Sequence, residues 1–261
     1  MKTQLFTEPA SKIGDRVLSR SAERSHYQLR RAASAEDVRA AQTLRFLVFN
    51  LELNEGLEHS YTTCRDADPF DEVCDHLLVE DVRTHEVVGT YRLQTGATAA
   101  AERGYYSAQE FDFAPFEPVR GQLVELGRAC VHSHHRNLVV LGLLWKGISA
   151  YAREQGGRYL VGCSSLTSQD PQVGAAIYAA LQKRFLAPAA FQTVPLPAWA
   201  CPLGQATDHP PKMPKLLMAY LSFGAKICGP PAIDREFKTI DFLTLMDLDT
   251  LPPATIQRYL S

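Results

Sequence analysis

The chain has 261 residues, of which 46% are hydrophobic and 21% are charged, and its formal net charge at pH 7 is −2. This composition predicts a soluble protein built on one large domain, and the lack of an extended basic stripe argues against nucleic-acid binding. No apolar run approaches the roughly 18 residues that a membrane-spanning helix requires. Six cysteines without a C-x-x-C pair favour reduced, buried thiols in a cytoplasmic protein over a disulfide framework.

Residues 1–25 are predicted to form a basic arm ahead of a single domain that spans residues 26–261. Residues 1–31 contain seven lysines and arginines and three acidic residues. This positive charge would favour contact with the anionic surface of the inner membrane or with an acidic partner, and a solvated arm is the alternative. The arm lacks the apolar core of a secretory signal, so the protein is expected to stay in the cytoplasm, at most peripheral to the membrane.

The predicted elements begin with a strand in HYQLRRAA, residues 26–33. An amphipathic helix follows over residues 34–53, because Ser34 is a suitable N-cap and apolar residues then recur every three or four positions. Residues 54–75 are polar, acidic and interrupted by glycine and proline. Such a composition predicts a loop of the kind that often carries an active site.

The central part of the chain alternates between strands and a buried helix. HLLVEDV at residues 76–82 and EVVGTYRLQTG at residues 86–96 predict an antiparallel hairpin. QLVELGRACV, residues 122–131, predicts the next strand. The segment LVVLGLLWKGISAYAREQGG, residues 138–157, is apolar on most of its faces and closes with two glycines, which predicts a helix buried against a sheet.

The C-terminal part begins with a buried strand at residues 158–166 and a helix at residues 170–186, which Asp-Pro opens. Residues 187–214 are rich in proline and are predicted to be an irregular insertion with a functional role. A further helix over residues 214–225 and a closing strand over residues 237–248 complete the order β-α-β-β-β-α-β-α-loop-α-β. This order predicts an α/β domain with a mixed sheet.

Four short motifs occur in order along the chain. They are R-F-L-V-F at residues 45–49, D-A-D-P-F-D at 66–71, G-T-Y-R-L at 89–93 and E-L-G-R at 125–128. Together with the C-terminal block YLSFGAKICGPPAIDREFKTIDF, they resemble acyl-homoserine lactone synthases and, more closely, the N-acyl amino acid synthases and ornithine N-acyltransferases of ornithine-lipid biosynthesis. The resemblance covers residues 27–250. It implies the GNAT acyltransferase fold, an α/β (α+β) architecture in which helices flank a mixed, mostly antiparallel central sheet.

The resemblance also implies a reaction. A long fatty acyl chain, with or without a 3-hydroxyl group, would move from acyl carrier protein to the α-amino group of an amino acid. Ornithine is the first candidate acceptor, and the product would then be a lyso-ornithine lipid or another N-acyl amino acid. No bound cofactor is expected, because the donor is itself the phosphopantetheine thioester of the carrier protein.

Glu125 lies in the strand before the crossover to the buried helix, where a carboxylate can reach the acceptor amine directly or through water. We therefore consider Glu125 the candidate general base. The alternative is a structural ion pair with Arg92 or Arg128. The two roles are compatible, because an ion pair also positions a base.

The acidic loop and three arginines are candidates for binding the amino acid. Asp68 and Asp71 would suit an ammonium group, and a capped turn is the alternative, because aspartate and proline are common in turns. The resemblance places both aspartates and Arg45 in the active-site cleft. Arg45 interrupts an apolar helix face, so it requires an aspartate or the substrate carboxylate as its partner. Arg92 and Arg128 are expected to hold the substrate carboxylate in bidentate hydrogen bonds.

Two further roles follow from the GNAT resemblance. Tyr178 lies in a predicted helix where many GNAT enzymes carry a tyrosine that protonates the leaving thiolate, and ordinary core packing is the alternative. The backbone N–H groups of Ala129, Cys130 and Val131 are the candidate donors to the oxyanion, by analogy with the same enzymes.

Three histidines near Cys130 raise the alternative of a zinc site. On a strand, His132 and His134 would share one face while His135 would point away. No fourth ligand stands at a standard spacing, so the sequence predicts no metal and a polar turn at this point.

The segment after Arg136 departs from the CoA-binding loop of ordinary GNAT enzymes. Their loop is similar to R-x-x-G-x-G/A, whose glycines let backbone amides approach a pyrophosphate at a helix N-terminus. Here N-L-V-V-L-G follows the arginine, which favours acyl carrier protein over CoA as donor and partner. Four cations are candidates for docking that acidic protein, with simple solvation as the alternative: Arg136, Lys146, Lys183 and Arg184.

Two other functions stay open at this point. An acyl-homoserine-lactone-type signal synthase would share the fold, but the C-terminal part of this chain is longer than in those enzymes. A non-catalytic lipid-binding or haemolysin-like protein would need an amphipathic segment that inserts into membranes, and the sequence has none outside the basic arm.

Overall fold

The computed structural model describes residues 26–207 and 212–251. The predicted basic arm, residues 1–25, and the predicted end of the domain beyond residue 251 lie outside the described residues. None of the described helices is long and apolar enough to cross a membrane.

One sheet organises the described residues and contains eight strands. In chain order they are β1 (Tyr27–Arg31), β2 (Asp75–Asp81), β3 (Glu86–Thr95), β4 (Leu123–Val131), β5 (Tyr159–Leu166), β6 (Lys226–Ile227), β7 (Ala232–Asp234) and β8 (Thr239–Asp247). They lie side by side in the order β1-β2-β3-β4-β5-β8-β6, and β7 pairs with β8. Every pair is antiparallel except β4 with β5. The expected mixed, mostly antiparallel sheet is therefore confirmed.

Six α-helices accompany the sheet in the described part of the chain. They are α1 (Ala35–Phe46), α2 (Ser60–Thr63), α3 (Gly96–Ala101), α4 (Leu138–Glu154), α5 (Pro171–Phe185) and α6 (Lys215–Ser222). Ser34 caps α1 as its sequence predicts, since its side chain accepts a hydrogen bond from the Asp37 amide. The helix predicted up to residue 53 changes character, however, because α1 continues as a π-helical segment, Leu47–Glu52.

The two faces of the sheet carry separate hydrophobic cores, because successive side chains of a strand point to opposite faces. On one face α4 buries Leu144, Trp145 and Ile148 against the strands. On the other face Phe111 and Phe116, from the irregular aromatic segment after α3, form the centre of the second core. The buried character predicted for α4 is thus confirmed.

The sheet opens between its two parallel strands. β4 and β5 pair only where Leu123–Glu125 faces Tyr159–Val161, and beyond this point β5 pairs with β8 alone. Gly162 lies at the point of separation, where an added Cβ atom would stand 2.1 Å from the carbonyl oxygen of Leu126. The two strands therefore approach as closely as glycine allows and then diverge, which leaves a cleft in the middle of the sheet.

A β-bulge changes the direction of β4 just beyond the opening. Arg92 faces Gly127 and Thr90 faces Cys130, so two residues of β4 stand opposite one residue of β3. Arg128, inside the bulge, has a φ of 50°, in the left-handed region. Bulges often re-aim a side chain near an active site, and this one turns Arg128 toward the acidic loop.

The predicted order of the longer strands and helices agrees with the described structure, whereas the short helices α2 and α3 were not predicted. The short strands β6 and β7 were not predicted, because two or three residues are too few to show alternation. The proline-rich segment follows the sheet edge: the Thr193 amide donates to the Cys228 carbonyl and the Leu196 amide to the Glu110 carbonyl. This segment thereby covers the aromatic loop that precedes β4.

Candidate active site

A buried network of ions surrounds Arg45 at the C-terminal end of α1. The Arg45 side chain has no solvent exposure. Its Nε lies 2.8 Å from Asp66 Oδ1, and its Nη1 and Nη2 donate to the two oxygens of Asp71 at 2.9 and 2.6 Å. The expected carboxylate partner of Arg45 is thus Asp71, together with Asp66, an acid of the same loop motif that the sequence analysis did not single out.

Arg92 extends this network from β3. Its Nη1 donates to Asp68 Oδ1 at 2.6 Å and to Asp71 Oδ1 at 2.9 Å. The guanidinium carbon lies 5.6 Å from the ring centre of Phe70 and 5.3 Å from that of Tyr106. The Nη2 atom is buried and has no hydrogen-bond partner among the described residues. Arg92 therefore keeps one donor for a ligand.

Arg128 completes the network from the bulge in β4. Its Nη2 donates to Asp68 Oδ2 at 2.9 Å, and its Nε lies 3.3 Å from Asp66 Oδ1. The guanidinium carbon lies 4.6 Å from the ring centre of Tyr106 and 4.2 Å from that of Phe237. The structure thus brings together all five predicted substrate-binding residues: Arg45, Asp68, Asp71, Arg92 and Arg128.

The arginines keep the buried aspartates ionised. Burial alone would raise the pKa of Asp71, but the hydrogen bonds and charge of Arg45 outweigh it and hold this pKa well below its ordinary value. Burial is likewise outweighed at Asp68, whose pKa Arg92 and Arg128 lower. Asp68 also caps the turn over Pro69–Glu72. The capped turn is therefore present, and the role of this motif in substrate binding stays a prediction.

Glu125 lies where β4 and β5 begin to separate, and its residue is 4% exposed. Its carboxylate accepts hydrogen bonds from Gln94 Nε2 at 2.5 Å, the Tyr106 amide at 2.8 Å and the Ser107 amide at 2.7 Å. The structure shows no ion pair between Glu125 and an arginine in the described residues, because Arg92 and Arg128 are occupied by aspartates. Glu125 instead fixes the aromatic loop against β4, and its role as a base stays a prediction.

The cleft between β4 and β5 is mostly apolar. Its lining includes Tyr91, Leu126, Trp145, Tyr220 and Met246. The hydroxyl groups of Tyr91 and Tyr220 are hydrogen-bonded to each other, and burial raises the pKa of Tyr91 to about 12. The cleft holds about 30 Å³ of space for a water-sized group, roughly the volume of one water molecule. An acyl chain can enter only if the walls of the cleft move apart.

The other predicted catalytic groups lie at different places. Ala129 lies in the bulge, whereas Cys130 and Val131 pair with β3. Tyr178 is partly buried on α5 and packs against the core cluster that contains Leu181. It is not among the residues that line the cleft within the described structure. The oxyanion and proton-donor roles of these residues stay predictions.

The histidine segment forms a turn before α4. His132 has its ring centre 5.2 Å from that of His134 and 5.5 Å from that of His135. The Nδ1 atom of His135 lies 3.0 Å from the hydroxyl of Tyr27. The side chain of Asn137 then accepts hydrogen bonds from the amides of residues 139 and 140 and so caps α4. The amides at this helix terminus are therefore already occupied by the chain itself.

The four candidate docking cations lie on the surface. Arg136 pairs with Glu52 at 2.5 and 2.7 Å. Lys146 is exposed on α4, and Lys183 and Arg184 are exposed in the last turn of α5. Within the described structure, Lys146, Lys183 and Arg184 form no ion pair with a carboxylate. Their role in docking stays a prediction.

A second acidic group lies outside the sequence predictions. Each of Glu110, Asp234 and Asp241 has a carboxylate oxygen within 4.8 Å of those of the other two. Among the described residues, this is the group of three or more histidine, cysteine, aspartate or glutamate side chains that are close enough to hold one ion. The three residues come from the aromatic loop, β7 and β8. Asp234 and Asp241 belong to the C-terminal block named above, but Glu110 lies more than 100 residues earlier, so the grouping of the three acids was not apparent from the sequence.

The comparison with known proteins agrees with this geometry. Residues 44–146 match the acetyltransferase (GNAT) domain family. Over 251 residues the chain is 34% identical to an L-ornithine N(alpha)-acyltransferase of Brucella abortus. The aligned region covers 89% of this chain and 88% of that protein. Over 252 residues it is 32% identical to an L-ornithine N(alpha)-acyltransferase of Agrobacterium fabrum. This aligned region covers 89% of this chain and 84% of the relative.

Solved structures show the same architecture. FeeM, an N-acyl amino acid synthase from uncultured soil microbes, superposes with a TM-score of 0.53 at 12% identity, over 86% of this chain and 93% of FeeM. The AHL synthase LasI superposes with a TM-score of 0.52 at 12% identity, over 90% of this chain and 95% of LasI. At such identities the likeness concerns the fold. The two sequence relatives, each more than 30% identical over most of the chain, carry the further conclusion: the chain belongs to the L-ornithine N(alpha)-acyltransferase family and is a GNAT-fold acyltransferase.

Proposed function

We propose that the protein transfers a long-chain fatty acyl group from acyl carrier protein to the α-amino group of ornithine, giving a lyso-ornithine lipid. The observation that carries this proposal is the combination of a buried, unpartnered donor on Arg92 with the carboxylate of Glu125 beside an apolar cleft. The two L-ornithine N(alpha)-acyltransferases named above, to which this chain is similar, support ornithine as the acceptor.

The acceptor would bind through its carboxylate. Arg92 Nη2 is the free donor, and an arginine that already pairs with aspartates is held in place for a further partner. Arg92 and Glu125 belong to neighbouring strands, since Gln94, two residues after Arg92, faces Glu125. A carboxylate on Arg92 therefore brings the α-amine of the same molecule toward Glu125.

Glu125 would remove the proton from the amine, directly or through one water. A carboxylate has about four acceptor sites, so the three hydrogen bonds that Glu125 accepts leave room for a fourth. The amine nitrogen then attacks the thioester carbonyl carbon, a C–N bond forms and the C–S bond breaks. The amine proton passes to the base, and the leaving sulfur takes up a proton to depart as a thiol.

The cleft between β4 and β5 would hold the acyl chain away from water. Its walls are apolar and partly aromatic, and a dry site strengthens the electrostatic interactions that stabilise the developing oxyanion. Because the empty cleft is narrow, we infer that the acyl chain widens it on entry. The long buried helix α4 and the short helix α6 supply the aromatic side chains that would have to shift.

The donor is inferred from the start of α4. The Asn137 side chain occupies amides that a CoA pyrophosphate would need at this helix terminus. Acyl carrier protein presents its phosphopantetheine arm without the nucleotide, so it does not require this site. Lys146, Lys183 and Arg184 then remain candidate cations for docking the acidic carrier, on a protein that works in the cytoplasm and delivers its product to the inner membrane.

Expression in a bacterium that lacks N-acyl amino acids tests the function. Mass spectrometry of the lipid extract is expected to show a new N-acylornithine. In vitro, the purified protein is expected to use acyl carrier protein with much higher kcat/KM than acyl-CoA of the same chain length. An unchanged lipid profile at good expression would contradict the proposal, and an acyl-homoserine lactone in the medium would favour the signal-synthase alternative.

A further inference from the structure

The acidic group formed by Glu110, Asp234 and Asp241 is buried almost completely. The three residues are 2%, 3% and 3% exposed, respectively. Burying a charged carboxylate is costly unless a cation or several hydrogen-bond donors compensate it. Three such groups whose oxygens lie within 4.8 Å of one another therefore require a compensating partner.

The described residues do not supply enough partners. Glu110 and Asp241 are hydrogen-bonded to each other, and Asp241 also has hydrogen bonds with Ser165 and Thr239. Glu110 Oε2 and Asp241 Oδ1 are nevertheless buried without a hydrogen-bond donor from the described residues. No basic side chain of the described chain forms an ion pair with any of the three acids. Asp234 is better satisfied, because its Oδ1 accepts hydrogen bonds from the amides of residues 236 and 237. The oxygens without a donor thus belong to Glu110 and Asp241, two of the three acids whose carboxylate oxygens lie within 4.8 Å of one another.

Arg128 is the basic group that acts electrostatically on Glu110. Its Nε and Nη2, however, donate to Asp66 and Asp68. Burial and the charges of Asp241 and Asp234 raise the pKa of Glu110 well above its ordinary value, and Arg128 lowers it only partly. Burial raises the pKa of Asp241 to about 6. Both raised pKa values show that a cation beside these carboxyl groups would favour their ionised forms.

Other titratable groups interact electrostatically with these acids. The pKa of Tyr106 is raised by burial and by Glu110 and Asp234, and the pKa of the Cys163 thiol is raised by burial, Glu110 and Asp241. Glu55, on the loop after α1, also interacts with Asp241, and burial raises its pKa. These neighbours are acidic or neutral at pH 7, so the local charge further favours a cation.

A short turn of the chain, from Ser107 to Glu110, links the acidic group to the proposed base Glu125. The amide of Glu110 donates to the carbonyl of Ser107, and the amide of Ser107 donates to Glu125. Cys163 connects the two regions from the other side, because it lines the acyl cleft and also contacts Ser107. The proposed base and the acidic group are therefore connected through Ser107 and Cys163.

We propose that Glu110, Asp234 and Asp241 bind the side-chain ammonium group of a diamino acid acceptor and thereby select it over neutral amino acids. This inference rests on the proposed acyl transfer to an amino acid. An ammonium group offers three N–H donors, one for each carboxylate. Three methylene groups separate the α-carbon of ornithine from this ammonium. A divalent cation is the competing occupant, but it would not explain why the group lies beside the base and the acyl cleft.

Binding of the acceptor without an acyl donor tests the inference. Isothermal titration would compare L-ornithine with L-norvaline, its neutral analogue, on the wild-type protein, Asp241→Asn, Glu110→Gln and the control Glu117→Gln. Glu117 is an exposed acid that pairs with Arg120 on the same segment. Loss of one charge-assisted hydrogen bond to the ammonium is expected to weaken ornithine binding about 10- to 100-fold and to leave norvaline binding unchanged. The control variant is expected to bind both as the wild type does.

Proton release gives a second readout. Because a bound ammonium favours the ionised form of Asp241, whose pKa is about 6, ornithine binding near pH 6 is expected to release protons into the buffer, whereas norvaline binding is not. Titrations in two buffers of different ionisation enthalpy measure this number. The release is expected to disappear in Asp241→Asn, and if that variant does not fold, Glu110→Gln carries the same test.

Three outcomes would overturn the inference. The first is a preference for ornithine over norvaline that is the same in the wild type and in both variants. The second is binding of Mg²⁺ or Mn²⁺ that Asp241→Asn abolishes while ornithine binding persists. The third is ornithine binding without proton release. The proposed function fails separately. Selective ornithine binding without acylation would contradict acyl transfer only, whereas acylation of ornithine and norvaline with equal kcat/KM would contradict this inference only.

Discussion

Three arginines and three aspartates are buried together in the candidate active site, with Arg45 at the centre. Isolated buried charges are unfavourable, and such a network is tolerated only when each charge has a partner of good geometry. Here each aspartate contacts two arginines, which fixes the guanidinium groups in place. The network positions Arg92 and its unpartnered Nη2 more rigidly than an exposed arginine could be positioned.

Arg45→Met tests the structural weight of this network. The substitution leaves Asp66 and Asp71 buried with one cation fewer, so we expect the free energy of unfolding to fall by about 3–5 kcal/mol. Urea denaturation measures it. Arg39→Met is the control on the same helix, because Arg39 is half-exposed and its ion pair with Glu36 is on the surface; we expect a change within about 0.5 kcal/mol. An equal, small effect of both substitutions would contradict the prediction.

Glu125→Gln tests the proposed base. We expect kcat to fall at least about 100-fold, because a glutamine cannot take the amine proton. The same substitution also disturbs the hydrogen bonds to the amides of Tyr106 and Ser107, so the rate alone does not identify the role. The pH profile does: the acidic limb of kcat/KM is expected to disappear in Glu125→Gln.

Gln94→Met is the matched comparison for Glu125. It removes one hydrogen bond to the carboxylate but leaves the carboxylate itself. We expect a lower rate with the acidic limb of the profile retained. If Glu125→Gln kept wild-type turnover, or if both variants kept the same pH profile, Glu125 would have only a structural role in fixing the aromatic loop.

At the level of elements, the active site is organised by the separation of β4 from β5. The strands share only a short parallel pairing, and β5 then depends on β8 for its hydrogen bonds. Backbone groups of β4 beyond Glu125 thus face the cleft instead of a neighbouring strand. The bulge on the opposite side of β4 turns Arg128 toward the acidic loop. One strand therefore presents the candidate base Glu125, the ion-paired Arg128 and one wall of the cleft within a few residues.

Gly162→Ala tests the close approach at the start of the cleft. A Cβ atom would stand 2.1 Å from the Leu126 carbonyl oxygen, so the strands must shift. We expect a loss of about 1–3 kcal/mol in the free energy of unfolding and a marked loss of acyl transfer. Gly142→Ala on α4 is the control, since an added Cβ atom there contacts nothing within 4 Å. Alanine is favoured over glycine in a helix by about 0.5–1 kcal/mol, so this variant is expected to be slightly more stable. Equal stability of the two variants would contradict the prediction.

For the whole molecule, the sequence predicted the order of the elements because each one has a clear periodicity or cap. It also predicted five substrate-binding residues that the structure brings together, because the resemblance drew attention to compact motifs. It did not predict the partners of Glu125, which are backbone amides that no residue type reveals. It also missed Glu110, Asp234 and Asp241, whose meeting depends on the path of the aromatic loop and on a strand, β7, of three residues. Contacts of this kind arise only from tertiary structure.

The two sets of buried carboxylates predict how stability depends on pH. Arg45 and Arg92 hold the pKa of Asp71 below its ordinary value although burial would raise it. A lowered pKa stabilises the fold above the unfolded-state value near 3.9 and loses this contribution as the pH falls. Burial raises the pKa of Asp241 to about 6. A raised carboxyl pKa has the opposite effect, because stability falls as the pH rises from about 4 through 6.

We therefore expect the protein without bound acceptor to be most stable near pH 4 and to lose on the order of 2 kcal/mol as the pH rises from about 4 to about 6. Urea denaturation at several pH values measures this curve. Asp241→Asn removes one of the two carboxyl groups with a raised pKa and leaves Glu110, so the loss of stability over the same range is expected to be clearly less steep. Saturating ornithine is expected to flatten the wild-type curve as well, because the bound ammonium favours the ionised carboxylates. A decline of the same steepness in Asp241→Asn would show that the buried acids near Glu110 do not control it.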